Sequence, residues 1–250
     1  DFDNFSWMTV VAAMGQMFYS LSIAMGVLYT YGSYIGKDMD IEKSTKQVEL
    51  FDTAIALLAG MMIIPAVFAF SGGNMETLQA GPSLAFITLP KIFASMGAGW
   101  LAGIAFFLMF LFAALTSAIS LMETSVSSLE DELKWSRPKC CFLMAVLMAV
   151  AGTASSLGYG AWDFVKIFGM AFLDFFDFLT NSIMMPLAAL ATCILIIRVV
   201  GFERISKEIE ISSAFRRKKL YIFFVKYLAV ICIGIILVSS IANVLGIISL

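Results

Sequence analysis

Six runs of this chain are long and apolar enough to cross a lipid bilayer, at approximately 5–35, 48–71, 97–128, 140–157, 167–198 and 220–248. At ~1.5 Å of rise per helical residue, about 20 residues span the ~30 Å hydrocarbon layer. No water is present there to pair backbone groups, so only helices and closed barrels can cross it. Apolar runs of this length are helical. The expected fold is therefore an all-α integral membrane protein with six transmembrane helices. Charged residues make up only 14% of the chain, too few to cover a soluble domain of this size.

The first run is interrupted. Its centre reads Gly15-Gln16-Met17-Phe18-Tyr19-Ser20-Leu21-Ser22-Ile23-Ala24-Met25-Gly26. A lipid-facing helix has no use for two serines and a glycine at its midpoint. A helix that unwinds there to hold an ion or small solute does, because free carbonyls survive at membrane depth only where they line a cavity or bind something. Pro65 in the second run and Pro186 in the fifth are expected to kink their helices.

Basic residues alternate from loop to loop. Lys37, Lys43 and Lys46 lie in one loop, Lys134, Arg137 and Lys139 in another. The 198–219 connection holds Arg198, Arg204, Lys207, Arg216, Arg217, Lys218 and Lys219. The opposite side has Lys91 and, near its edge, Lys166. The positive-inside rule puts the three basic loops in the cytoplasm and both ends of the segment outside. The long external loop, 72–96, carries Ala80-Gly81-Pro82-Ser83 and Leu89-Pro90 around an apolar stretch. It is expected to form two short helical pieces that pack back as a lid.

Several function classes drop out. The chain has no histidine, no catalytic aspartate pair on facing spans and no activated serine motif, so an intramembrane enzyme is disfavoured. Its four cysteines show no metal-ligand spacing and read as small buried hydrophobes. Nothing points to nucleic acid.

The polar residues inside the spans are the candidates for function. Ala113, Thr116, Ser117, Ser120, Glu123, Thr124 and Ser127 recur at three- and four-residue steps on one helical stripe. Such a stripe lets helices pack closely. Alternatively, the Thr116–Ser117 hydroxyls and a free carbonyl could give a hard cation the oxygen ligands it needs; the residues alone leave both open. Asp52, about a turn into the second span, is a functional-site candidate because a membrane acid is costly, although an interfacial acid that reaches water fits too. Asp174 and Asp177 sit at i, i+3 near the outer end of the fifth span, and Glu130, Asp131 and Glu132 close the third. Acids are disfavoured at a helix C-terminus, which suggests a cationic partner such as Lys134, Arg137 or a residue outside this chain. A solvated acidic turn is the simpler reading.

Taken together these residues resemble the neurotransmitter:sodium symporter family. The run Gly15-Gln16-Met17-Phe18-Tyr19-Ser20-Leu21-Ser22, followed by Thr30-Tyr31-Gly32-Ser33-Tyr34, is similar to that family's broken sixth helix. Ala113-Ala114-Leu115-Thr116-Ser117-Ala118 and Leu129-Glu130-Asp131-Glu132-Leu133 resemble its eighth helix. The 81–90 stretch resembles its fourth external loop. The order is consistent over essentially the whole chain.

The resemblance implies the second inverted repeat of the leucine-transporter-like fold plus one extra helix, the sixth to eleventh of the family. It implies sodium-coupled symport of an amino acid by alternating access, in a multi-pass protein of the cell's inner (plasma) membrane. By position, the Ala113 carbonyl, Thr116 and Ser117 bind the second sodium, and Ser20 the first. Tyr19, Ser20, Ser22, Met25, Ser117 and Leu121 line the substrate pocket. Asp177 serves the outer gate, and Asp131 and Tyr34 the cytoplasmic gate. Asp52 falls where relatives place a first-sodium ligand or a chloride-substituting charge, so transport is expected not to require chloride. Ala24 stands where relatives often have Gly; a methyl there narrows the pocket or stiffens the hinge, and the expected substrate is a small-to-medium apolar amino acid. The family's first repeat would supply the opposite wall of the site. The chain begins at Asp1 without an initiator Met and is expected to be part of a longer polypeptide, whose N-terminal half is then its partner. The competing expectation is a non-transporting, truncated or regulatory module of the same fold.

Overall fold

A computed structural model of the protein describes residues 7–70 and 81–244. The 72–80 part of the expected lid, and the outermost residues of the first and last runs, lie outside the described residues. Every regular element described is helical.

Five helical stretches are long and apolar enough to cross a membrane: Ile41–Ala69, Gly99–Leu133, Arg137–Leu157, Phe172–Val200 and Lys218–Ser239. The first run instead forms two helices, α1 (Trp7–Ser20) and α2 (Val27–Tyr34), separated by six non-helical residues. The chain is thus an all-α membrane protein whose first segment is unwound at its middle.

Local chemistry sets several boundaries. Asp40 caps α3 (Ile41–Phe70) by accepting the Lys43 backbone N–H at 2.9 Å. That donor, above all, holds the Asp40 carboxyl below its ordinary pKa. The helix runs on through Pro65. After the 81–83 turn come a π-helical turn (Leu84–Thr88) and α4 (Leu89–Ser95). The long α5 (Gly99–Leu133) ends where Lys134 turns left-handed, with φ 55°. A new helix, α6 (Arg137–Leu157), starts with Pro138 in its first turn, where the missing N–H costs nothing.

The fifth run is built in pieces: α7 (Phe172–Asp177), a π-helical stretch (Phe178–Met184), α8 (Met185–Leu195) and a π-helical end (Ile196–Val200). Pro186 has no N–H to continue an α-helical ladder, and the widened π turn directly before it absorbs that loss. Next come α9 (Phe202–Ser212), α10 (Lys218–Phe223), a π turn (Phe224–Leu228) and α11 (Ala229–Val244).

The chain divides into two compact units, Lys46–Ser120 and the pair Asp1–Thr45 with Leu121–Leu250. In the Lys46–Ser120 unit, Val67, Leu89 and Ile92 form a buried cluster with Ile63, Leu84, Phe93 and Phe106 around it. The 84–95 stretch is thereby packed onto α3 and α5, with Phe93 and Phe106 at 5.6 Å. Gly99 makes the α4–α5 turn possible, because a Cβ there would lie 1.5 Å from the Phe93 carbonyl oxygen. In the other unit, Ala189, Cys193 and Ile233 bury the α8–α11 seam.

Candidate functional site

The break is a strained piece of backbone. Ser22, Ala24 and Gly26 have φ of 53°, 64° and 83°. A left-handed conformation costs an L-residue roughly 1–2 kcal/mol, so two non-glycine examples in six residues mark a segment held against its preference. At Gly26 the constraint is double, since an added Cβ would also fall 2.7 Å from Thr124 Cγ2.

The hydrogen bonds around the break define what it offers. The Leu21 N–H donates to Met17 O at 3.1 Å and the Ser22 N–H to Tyr19 O at 3.0 Å, which closes α1. The Tyr29 and Thr30 N–H groups both donate to Gly26 O, which opens α2. Among the described residues, no backbone N–H reaches the carbonyls of Leu21, Ser22, Ile23, Ala24 and Met25. A row of carbonyl oxygens is left open beside Ser22 and Met25, which are partly buried, and Tyr19 and Ser20, which are exposed. The Ala24 methyl packs against the Ala189–Cys193–Ile233 seam. Its contact is with the helices behind the break, which supports the stiffened hinge of the two effects expected from it.

The candidate cation stretch in the other unit differs in construction. Ala113, Thr116 and Ser117 lie on the uninterrupted α5, all exposed. Thr116 Oγ1 stands 2.9 Å from Phe112 O and 3.0 Å from Ala113 O, so its proton is spent on its own helix and its lone pairs point outward. The Ala113 carbonyl is therefore within hydrogen-bond reach of Thr116, and Ser117 follows directly. Asp52 is partly buried on α3 and already has an interaction of its own.

At the far end of α2 a polar network forms around Glu123, which the sequence pattern placed on the α5 stripe but not at a gate. Tyr34 Oη donates to Glu123 Oε1 at 2.8 Å, and Arg137 donates to the other oxygen of the same carboxylate. Arg137 Nη1 also lies 3.5 Å from Glu130. One partner for the acidic trio is thus Arg137, and Glu130 is the acid it reaches. Asp131 is exposed and makes no ion pair among the described residues. Two signals could have found Glu123: an acid on the hydroxyl stripe of an apolar span, and an arginine one short turn beyond that helix.

The opposite acids also have nearby donors. Asn181 donates to the Asp177 carboxylate one turn away, across the π stretch. Tyr159 Oη donates to Asp174 at 3.3 Å, and burial, reinforced by the Asp174 and Asp177 charges, pushes the Tyr159 hydroxyl above its ordinary pKa. Tyr29 Oη donates to Thr192 Oγ1 at 2.6 Å and ties α2 to α8.

The expected site residues therefore belong to two units. Tyr19, Ser20, Ser22, Met25, Leu121, Tyr34, Asp131 and Asp177 lie in one, and Asp52, Ala113, Thr116 and Ser117 in the other.

Comparison with known proteins follows the same lines. The model of the sodium:neurotransmitter symporter family matches residues 2–247. Uncharacterized sodium-dependent transporters of Bacillus subtilis (strain 168), YhdH, and of Haemophilus influenzae are 32% and 31% identical over 96% of the chain. The chain spans about half the length of these curated relatives, 52% of each. The sodium- and chloride-dependent glycine transporter 2 of Xenopus laevis is 24% identical over 84% of the chain and 26% of its own length. The crystal structure of MhsT in complex with L-phenylalanine superposes with a TM-score of 0.83 at 36% identity, covering 92% of this chain and 51% of MhsT. These relatives are transporters and not enzymes.

Proposed function

The chain belongs to the sodium:neurotransmitter symporter family, and from that premise we propose that it is the C-terminal half of a sodium-coupled symporter for a small-to-medium apolar amino acid. The observation that carries this reading is the strained break, with open carbonyls from Leu21 to Met25. Such a row of dipoles is favourable only against a polar or charged guest. In this reading the substrate lies along Tyr19, Ser20, Ser22 and Met25, with Ser117 and Leu121 completing this half of the pocket. Ser20 contributes to the first sodium site. The Ala113 carbonyl and the Thr116 and Ser117 hydroxyls hold the second.

The gates follow the same logic. Asp177, presented by Asn181, waits at the outer end for a cation from the other half. At the inner end Tyr34 and Asp131 form the gate, and the geometry adds Glu123, which collects Tyr34 and Arg137 on one carboxylate. Ion and substrate drive the cycle only through different affinities for its two states. Asp52 supplies a fixed negative charge in place of chloride. The bacterial relatives are named sodium-dependent only, whereas the frog glycine transporter is named for chloride as well. The apolar substrate is supported by MhsT, which was crystallised with L-phenylalanine.

Uptake by the complete polypeptide in vesicles tests the reading. Sodium-driven uptake of an apolar amino acid that persists without chloride is expected. Uptake indifferent to sodium would overturn the symport, and loss of uptake without chloride would overturn the role of Asp52. Tight tryptophan binding with weak leucine and alanine binding would count against the substrate class.

A further inference from the structure

The connection between α9 and α10 carries charge that the transport reading does not use. Arg216, Arg217 and Lys219 are exposed, and among the described residues none of them makes an ion pair. Their neighbour Lys218 is different, 3.6 Å from Glu210. The corner is not loosely held. The Arg216 backbone N–H donates to Glu42 Oε2 at 3.1 Å. Tyr221 of α10 is clamped between Phe202 at 6.2 Å and Phe215 at 5.6 Å. The backbone is thus pinned from behind while three cationic side chains project outward.

Directly below them the surface changes character. Leu220, Phe223 and Phe224 sit at i, i+3, i+4 on one face of α10 and its continuation, with 52%, 53% and 44% of their surface exposed. Tyr221, which packs on α9, faces the other way. The stretch suited to crossing the membrane begins at Lys218. The cations therefore sit at headgroup depth and the apolar stripe at acyl-chain depth.

We infer that this corner is a binding site for an anionic phospholipid, with Arg216, Arg217 and Lys219 on the headgroup phosphate and Leu220, Phe223 and Phe224 along an acyl chain. The site is independent of the transport reading. It also differs from a topology signal, which needs positive charge alone and neither discriminates headgroups nor uses the stripe.

Native mass spectrometry of the full chain, titrated with phosphatidylglycerol and phosphatidylcholine of matched acyl chains, tests it. Each basic side chain near a membrane surface contributes a factor of about five, so the three should favour phosphatidylglycerol on the order of a hundredfold. The triple variant Arg216→Gln, Arg217→Gln, Lys219→Gln should lose that preference, and Arg216→Lys with Arg217→Lys should keep most of it. If the triple variant does not fold, Arg217→Gln alone should lose about fivefold. Phe223→Ala with Phe224→Ala should weaken both lipids alike, and glycerol phosphate without chains should not compete. Equal retention of the two lipids, an undiminished preference in the glutamine variants, or full competition by glycerol phosphate would each overturn the site.

Discussion

The break at 21–26 and the Ala113–Ser117 stretch of α5 are two ways of putting oxygen atoms inside a membrane. The first gives up helical hydrogen bonds and exposes backbone carbonyls, and the cost appears as positive φ at Ser22 and Ala24. The second keeps every turn of its helix and adds hydroxyls, of which Thr116 spends its proton on carbonyls one turn back. Backbone oxygens cannot be removed by mutation, but the geometry that exposes them can be lost at a single residue. Hydroxyl oxygens are the reverse: any of them can be deleted while the helix stays intact. The two regions should therefore fail differently.

The largest effect is expected at Gly26. Gly26→Ala introduces a left-handed alanine and a Cβ 2.7 Å from Thr124 Cγ2, so a loss of about 2–4 kcal/mol is expected in thermal or denaturant unfolding of the purified protein. A variant as stable as the parent would mean that the break is not fixed by that glycine. Thr116→Ala with Ser117→Ala should barely move the same unfolding curve. In the complete transporter the pair should raise the sodium concentration for half-maximal uptake about tenfold or more, the scale of losing a ligand to a charged group. Unchanged sodium activation would remove α5 from the ion site.

A smaller effect is expected at the polar network beyond α2, where Glu123 receives Tyr34 and Arg137. Glu123→Gln keeps the shape of the acid that receives Tyr34 and Arg137 but removes its charge. It should speed the opening of the inner end, read as severalfold faster substrate efflux from loaded vesicles, while Glu130→Gln should do less. Equal effects of the two would deny Glu123 its special place. The smallest change belongs to Ala24→Gly. It relieves the left-handed strain but forfeits the methyl's packing on Ala189, Cys193 and Ile233 and adds freedom to the unfolded chain. These terms nearly cancel, leaving a net change under about 1 kcal/mol. A shift well beyond that would show that either strain or packing dominates the hinge.

Much of the fold was legible beforehand because membrane helices announce themselves by apolarity and length. The break was legible too, since Ser20, Ser22 and Gly26 have no place in a lipid-facing helix. Other features were hidden for physical reasons. The π-helical stretch that precedes Pro186 was not written in the residue pattern, because neighbouring backbone can widen to absorb a missing donor. Asp131 stood out at the end of α5, yet the network formed on Glu123, eight residues earlier, because a carboxylate is chosen by what lies across from it. Spacing along one helix carries no such information. The Ala24 methyl likewise could have faced the pocket or the seam until the left-handed backbone directed it to the seam.

The sequence by itself determined that the chain crosses a membrane on helices, that the first of them breaks, and which family's pattern it follows. All three rest on composition and local order, which the bilayer makes decisive by denying backbone groups any partner but their own chain. Only the tertiary structure decided which acid gathers Tyr34 and Arg137, what the break's methyl packs against, and which basic residues of the 198–219 connection make no ion pair among the described residues. Those depend on side chains from distant positions meeting at distances of a few ångströms, and no local pattern encodes that meeting.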